Sequence, residues 1–213
     1  MFCDIHTHNT FPHVPSLIDV SERVDLRFDI PSGNFVSYGI HPRFPSDWER
    51  RLQVLESLAA DGNIDAVGEC GMDVFSDEDP QMQYRIFVSQ LTTAQKYRLP
   101  VVVHCVRLYQ EVIRALKSTG FLFPLILHGY NGNQQTTLQL KKYDNVFFSI
   151  AKPPAGKLAT AIRCLSADKI LIESDTAAGA DYAGIVESVA GILNMNSSEL
   201  ESAVWDNFNR ILL

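Results

Sequence analysis

The sequence predicts a TIM-type (β/α) barrel with a reduced second βα unit, and three observations lead there. Its strand-length apolar runs, such as Val101-Val102-Val103 and Leu125-Ile126-Leu127, are hydrophobic throughout rather than alternating, as strands buried on both faces are. Amphipathic segments of helical length separate them, which is the order of a helix-covered parallel sheet. Histidines and carboxylates recur just past the ends of these runs, where the active sites of barrels assemble. Seven strands are clear and one is weak, with an open doubly wound sheet as the alternative. At 213 residues the chain suits one domain, residues 1–213, with a sizeable core.

Taken in order, Phe2 to Ile5 is a short buried strand leading into His6-Thr7-His8. Side chains alternate along a strand, so His6 and His8 project to the same side. Asn9 to Asn34 is irregular, broken by Pro12, Pro15, Pro31 and Gly33, with a weak strand around Val24–Ile30. Phe35 to Ile40 is a strand ending in His41-Pro42. The helix after it runs from Ser46 or Asp47 to Ala60, with Leu52, Leu55 and Leu58 or Ala59 inward and Gly62 as its stop.

Ile64 to Glu69 is the next strand, closing on Gly68-Glu69-Cys70-Gly71-Met72-Asp73. Asp79-Pro80 caps and opens a helix to Arg98, with Met82, Ile86 or Phe87, Leu91 and Ala94 inward. Then come a strand Val101–His104, a helix Leu108–Ser118 ended by Gly120, and a strand Leu125–His128. A helix Gln134–Lys142 and a strand Val146–Ile150 follow. Pro153-Pro154 breaks the chain before a helix over Ala155–Leu165, and Lys169–Ser174 is the last strand, ending at Asp175. Two helices close the chain. In the second, Ser198 and Glu201 have capping-box spacing and Leu200, Val204, Phe208 and Ile211 line one face.

Composition narrows the partners. With 18 basic and 25 acidic residues the chain carries a net charge of −7, so bulk electrostatics do not hold it to nucleic acid. A phosphate substrate must be gripped locally, by metal ions and a few cations drawn from Arg43, Arg50, Arg51, Lys141, Lys142, Lys152 and Lys157. No apolar run approaches the ~18–20 residues that span a bilayer, and the His pair leaves no room for a signal peptide before it. The expected setting is the cytoplasm, with no membrane partner and no evident obligate protein partner. Cys3, Cys70, Cys105 and Cys164 have neither CxxC spacing nor scaffold density and read as reduced, mostly buried thiols. Cys70 and Cys105 directly follow two candidate ligands, but in regular strands they face the other way.

Glu69, His104, His128 and Asp175 each sit past an apolar strand, as His6 and His8 do, and a barrel brings all six to one mouth. Singly, each is explained by a cap or a loop contact; together they point to metal. Imidazoles mixed with carboxylates suit zinc, magnesium or manganese. Six ligands exceed the needs of one ion and suit two, bridged by a carboxylate and a water. Glu69, midway in strand order, is the expected bridge.

The motifs His6-Thr-His8, Gly39-Ile-His-Pro42, Gly68-Glu-Cys-Gly-Met-Asp73 and Leu99-Pro-Val-Val-Val-His104 continue in Leu127-His-Gly129, Ile172-Glu-Ser-Asp175 and Asn207-Phe-Asn-Arg-Ile-Leu212. In that order they resemble the TatD-type metal-dependent hydrolases, amidohydrolase-superfamily barrels that include deoxyribonucleases. The resemblance implies one metal on His6, His8, Glu69 and Asp175, and a second on Glu69, His104 and His128. Two departures border the mouth. Only thirty-two residues separate His8 from His41, and Asp175 leads into Thr-Ala-Ala-Gly-Ala-Asp-Tyr rather than a proline.

The expected function is a divalent-metal-dependent phosphodiesterase, a TatD-like DNase acting on DNA or a small phosphoester. Asp175 would orient the attacking water and take its proton, and Glu69 would join the two ions. Arg107 or Lys152 would offset charge on the phosphoryl oxygens. His41 would face the substrate or cap its own His-Pro turn. Asp73 would accept from a ligand imidazole, and Glu173, one layer below Asp175, would play a supporting part. No residue stands out as the leaving-group acid. One rival is a hydrolase of another ester, amide or phosphoester on the same metals; the other is a non-catalytic metal-binding or scaffold protein.

Overall fold

The computed structural model describes residues 2–21, 30–177 and 181–213. Eight parallel strands form one sheet in chain order: β1 (Asp4–Thr7), β2 (Ser16–Asp19), β3 (Phe35–Tyr38), β4 (Ala66–Asp73), β5 (Val101–Val106), β6 (Leu125–Leu127), β7 (Val146–Ile150) and β8 (Ile170–Ile172). The sheet curls until its edges meet. Asp175 N–H donates to the carbonyl of His6 and His8 N–H to that of Asp175, around a parallel bridge between Thr7 and Asp175. The barrel is therefore closed by residues of the candidate site itself.

Helices α1 (Trp48–Ala60), α2 (Pro80–Tyr97), α3 (Tyr109–Thr119), α4 (Gln134–Leu140), α5 (Gly156–Ile162), α6 (Tyr182–Leu193) and α7 (Ser197–Leu212) cover the strands that follow β3. Their apolar stripes and the strands make one continuous core, from Ile5 and Leu17 to Phe208. Expected stops and caps are in place: Asp79 accepts from the N–H groups of Gln81 and Met82, and Gly120 ends α3 at a positive φ. The capping box of α7 lies two residues before the expected Ser198–Glu201 pair. Asn196 and Glu199 form it, because the helix starts at Ser197. Among the described residues no helix is long and apolar enough to cross a membrane.

The second strand is Ser16–Asp19, inside the stretch expected to be irregular. The weak strand expected at Val24–Ile30 lies, apart from Ile30, outside the described residues. No helix separates β1 from β2, so the reduction begins one connection earlier than the sequence suggests. β4 also runs four residues past its expected end and carries both Glu69 and Asp73 within the sheet. Gly68 and Gly71 make that possible: at positive φ, a Cβ on either would lie 2.6 or 2.1 Å from a carbonyl oxygen of β5.

Two buried glutamines of α2 tie the helix layer to the mouth. Gln90 accepts from Ile40 N–H at 2.8 Å and donates to Ile40 carbonyl at 3.1 Å. Gln83 accepts from Asp73 N–H at 2.8 Å. Both look like ordinary polar positions on an amphipathic helix, and neither was expected to be buried.

Candidate metal centre

β1, β4, β5, β6 and the residues after β8 converge their polar side chains at the C-terminal mouth. Three groups of donors lie close enough to share an ion: His6, Glu69 and His128; His6, His8 and Asp175; His41, Glu69 and His104. Glu69 is central. Its Oε1 is 2.6 Å from His128 Nε2 and 3.1 Å from His104 Nδ1, while its Oε2 is 3.3 Å from His8 Nε2 and 3.5 Å from His6 Nε2. One carboxylate thus aims its two oxygens at two separate imidazole pairs. Asp175 Oδ1 lies 3.8 Å from both His6 Nε2 and His8 Nε2.

Two features fit this donor set to a cation. His6 is fully buried, yet neither of its ring nitrogens has a hydrogen-bond partner among the described residues, a costly arrangement for an imidazole. His104 Nδ1 and His128 Nε2 face each other at 3.0 Å, a spacing near the ~3.4 Å that tetrahedral bonds of about 2.1 Å set between neighbouring ligands.

The charges tell the same story. Burial opposes ionisation of Glu69, but the imidazoles of His128 and His6 outweigh it and hold the carboxyl well below its ordinary range. His128 is likewise disfavoured by burial and yet raised well above the ordinary value by Glu69 and Glu173. His6 is raised by Glu69 against its own burial, and His8 is raised chiefly by its bond to Glu69. Each shift favours positive charge on these imidazoles and negative charge on Glu69, a balance that a bound cation would also serve.

A supporting layer surrounds these groups. Asp73 Oδ2 is 3.0 Å from His104 Nε2 and accepts from Arg43 Nε at 2.5 Å, which leaves His104 Nδ1 free to face the centre. Glu173 is fully buried, accepts from Gly129 N–H at 2.6 Å and lies 3.4 Å from His128 Nδ1. Asp19 and Asp4 belong to this layer too, and sequence reasoning missed both. Asp19 Oδ2 accepts from Glu69 N–H at 2.6 Å; Asp4 accepts from His6 N–H, from Ser174 and from the Tyr182 hydroxyl. Asp4 lies two residues before His6, and that alternation was the available signal. Nothing comparable marked Asp19, which ends a four-residue strand.

The other expected residues divide. His41 lines the cleft with its Nε2 3.7 Å from Glu69 Oε1, while its Nδ1 accepts from Arg43 N–H at 3.1 Å and so caps its own His-Pro turn. Burial lowers its pKa to about 4, and the neutral ring then carries its proton on Nε2. Arg107 lies outside the ligand cluster, in a neighbouring cleft, stacked on Phe75. Lys152 is exposed and lines neither cleft; Lys157 lines the second one. Cys70 is fully buried with its Sγ toward the Val102 carbonyl, burial pushes the Cys105 thiol up to about 12, and neither belongs to a donor group among the described residues.

A sequence model of the TatD-related DNase family matches residues 16–213. The chain belongs to this family. Its TatD relatives include the 3′-5′ ssDNA/RNA exonuclease TatD of Escherichia fergusonii, 29% identical over 144 residues, covering 64% of this chain and 55% of that protein. The metal-dependent hydrolase YjjV of Escherichia coli K12, itself uncharacterized, is 32% identical over 151 residues, 66% of this chain and 57% of its own. The chain thus spans just over half the length of these curated relatives in the matched region. In fold, the crystal structure of E. coli YjjV superposes with a TM-score of 0.81 at 21% identity, covering 99% of this chain and 97% of that one. The TatD-family hydrolase of Entamoeba histolytica gives 0.77 at 15% identity, covering 100% and 98%. The TatD match begins after His6 and His8, whose place in the cluster rests on their own geometry.

Proposed function

We propose that this TatD-family barrel is a two-metal phosphodiesterase that cleaves single-stranded nucleic acid. The observation that carries the reading is the division of Glu69, one oxygen toward His6 and His8 and the other toward His104 and His128. In this reading His6, His8, Glu69 and Asp175 hold one divalent ion, and Glu69, His104 and His128 hold a second; zinc, manganese and magnesium all suit such donors. When bound, the ions supply Lewis-acid chemistry, acidifying water and offsetting phosphoryl charge.

The chain's own residues do the rest. Asp175, partly exposed at the mouth, accepts a proton from the attacking water. His41, with its proton on Nε2, donates to a substrate oxygen. Asp73, Glu173 and Asp19 hold His104, His128 and Glu69 in place. The names of the relatives, an ssDNA/RNA exonuclease and metal-dependent hydrolases, support nucleic acid as the substrate class.

The test is release of nucleotides from an end-labelled single-stranded DNA with zinc, manganese or magnesium, against a chelator control. Metal-dependent shortening of the strand is expected. If no metal supports it while carboxylic esters or lactones are turned over, the phosphodiesterase reading is wrong.

A further inference from the structure

A second cleft of about 510 Å³ opens beside the metal centre, lined by residues that adjoin the candidate ligands in the chain. It begins where the ligand strands end: Cys105 and Val106 directly follow His104, and Gly129 directly follows His128. Its volume falls within the ~300–1,000 Å³ typical of small-molecule sites. Two groups at its rim are out of keeping with an acidic surface. Phe75 is 59% exposed, and the Arg107 guanidinium lies 5.1 Å from the centre of its ring. Arg107 and Lys157 both line this cleft, and neither is paired with a carboxylate among the described residues.

Phe75 is also held in place. Its N–H donates to Asp73 Oδ1 at 2.8 Å, and the other oxygen of Asp73 holds His104. The backbone of Phe75 and the ring of His104 are therefore anchored on one side chain. On a chain of net charge −7, an exposed aromatic ring, a stacked guanidinium and a second free cation form a local site for a ligand that is both flat and anionic.

We infer that this cleft is the binding subsite for a nucleotide flanking the scissile phosphate, with Phe75 and Arg107 stacking its base and Lys157 meeting its phosphate. This rests on the phosphodiesterase reading and deepens it. A base can lie on an aromatic ring or guanidinium plane only when it has left its own stack. The subsite therefore selects unpaired strands over duplex, and does so by stacking without reading sequence.

The test separates the subsite from the metal chemistry. Binding of a short 5′-labelled oligothymidylate is followed by fluorescence anisotropy in chelator at low ionic strength, for the intact protein, Phe75→Ala and Phe75→Trp. Phe75→Ala is expected to weaken binding by about tenfold, the worth of one stacked base, and Phe75→Trp to restore it. A duplex of the same length should show no such dependence on residue 75. In parallel, an abasic strand of tetrahydrofuran units joined by phosphodiesters, which carries no aromatic ring, reports the metal centre; the loss in kcat/KM on Phe75→Ala should be about tenfold greater for the oligonucleotide than for this diester. Equal binding by the intact protein and Phe75→Ala, no binding by either, or an equal loss on duplex would overturn the subsite. Absence of diester turnover with every metal would instead sink the phosphodiesterase reading while the anisotropy result still judged the stacking face.

Discussion

Replacing Asp73 by Asn should cost metal affinity without costing the fold, and the structure says how much. Oδ2 of Asp73 accepts from two donors at once, His104 Nε2 at 3.0 Å and Arg43 Nε at 2.5 Å, while Oδ1 accepts from Phe75 N–H at 2.8 Å. An amide has only one accepting atom, so in either orientation its NH₂ group meets a donor. If the NH₂ group faces His104, the imidazole must move its proton to Nδ1, the nitrogen that points at Glu69 and His128. That nitrogen can then no longer ligate. Loss of such an orienting carboxylate typically weakens metal binding 10–100-fold, or about 1.4–2.7 kcal/mol. Calorimetric titration of zinc into the metal-free protein should show one of two affinities fall by that amount. The thermal midpoint without metal should move by only a few degrees. Unchanged affinity for both ions would refute the tautomer argument.

Three further outcomes follow from the same geometry. Asp175→Asn should reduce turnover of a phosphodiester by on the order of 10²–10⁴-fold with little change in thermal stability; a dead Glu173→Gln beside an active Asp175→Asn would reverse the two assignments. His6, His8 and His128 have raised pKa values, so in the folded metal-free protein they keep protons that an incoming ion must displace. Apparent metal affinity should therefore rise with pH above about 6.5. The stability that these protons confer on the metal-free fold is full below that value and lost as pH rises through the raised values, so metal-free melting curves should shift the opposite way. Metal affinity flat between pH 6 and 8 would contradict this. Gln90→Ala strips partners from both the N–H and the carbonyl of Ile40, and chemical denaturation should show about 2–4 kcal/mol of lost stability.

The candidate ligand cluster was legible because each member follows an apolar run long enough to identify. Val101-Val102-Val103 announces a strand, and His104 then stands out against it. β2 was not legible for the opposite reason. Ser16-Leu-Ile-Asp19 offers two apolar residues between two polar ones, too short a run to mark a strand, so Asp19 had no frame in which to be noticed. Arg107 and Lys152 were equivalent in sequence, as cations shortly after a strand, and only the path of each loop separates them. The α7 cap was misplaced because Asn196 and Ser198 both suit such a box, each with a Glu three residues on, and packing of Leu200 and Val204 sets the helix start.

The barrel's closure also fixes when the protein becomes competent. Thr7 and Asp175 are 168 positions apart, and His6 and His8 meet Asp175 only across the bridge that joins them. At about 5–20 residues per second, a ribosome finishes Asp175 about 10–30 s after Thr7. During that interval His6 and His8 have no carboxylate from the far edge and no closed sheet to hold them. A pairing of such long range is also among the slowest to form. An ion that bridged these two edges would act as a clasp between the oldest and the newest strands, so metal should slow hydrogen exchange at His8 N–H and Asp175 N–H more than anywhere else in the sheet.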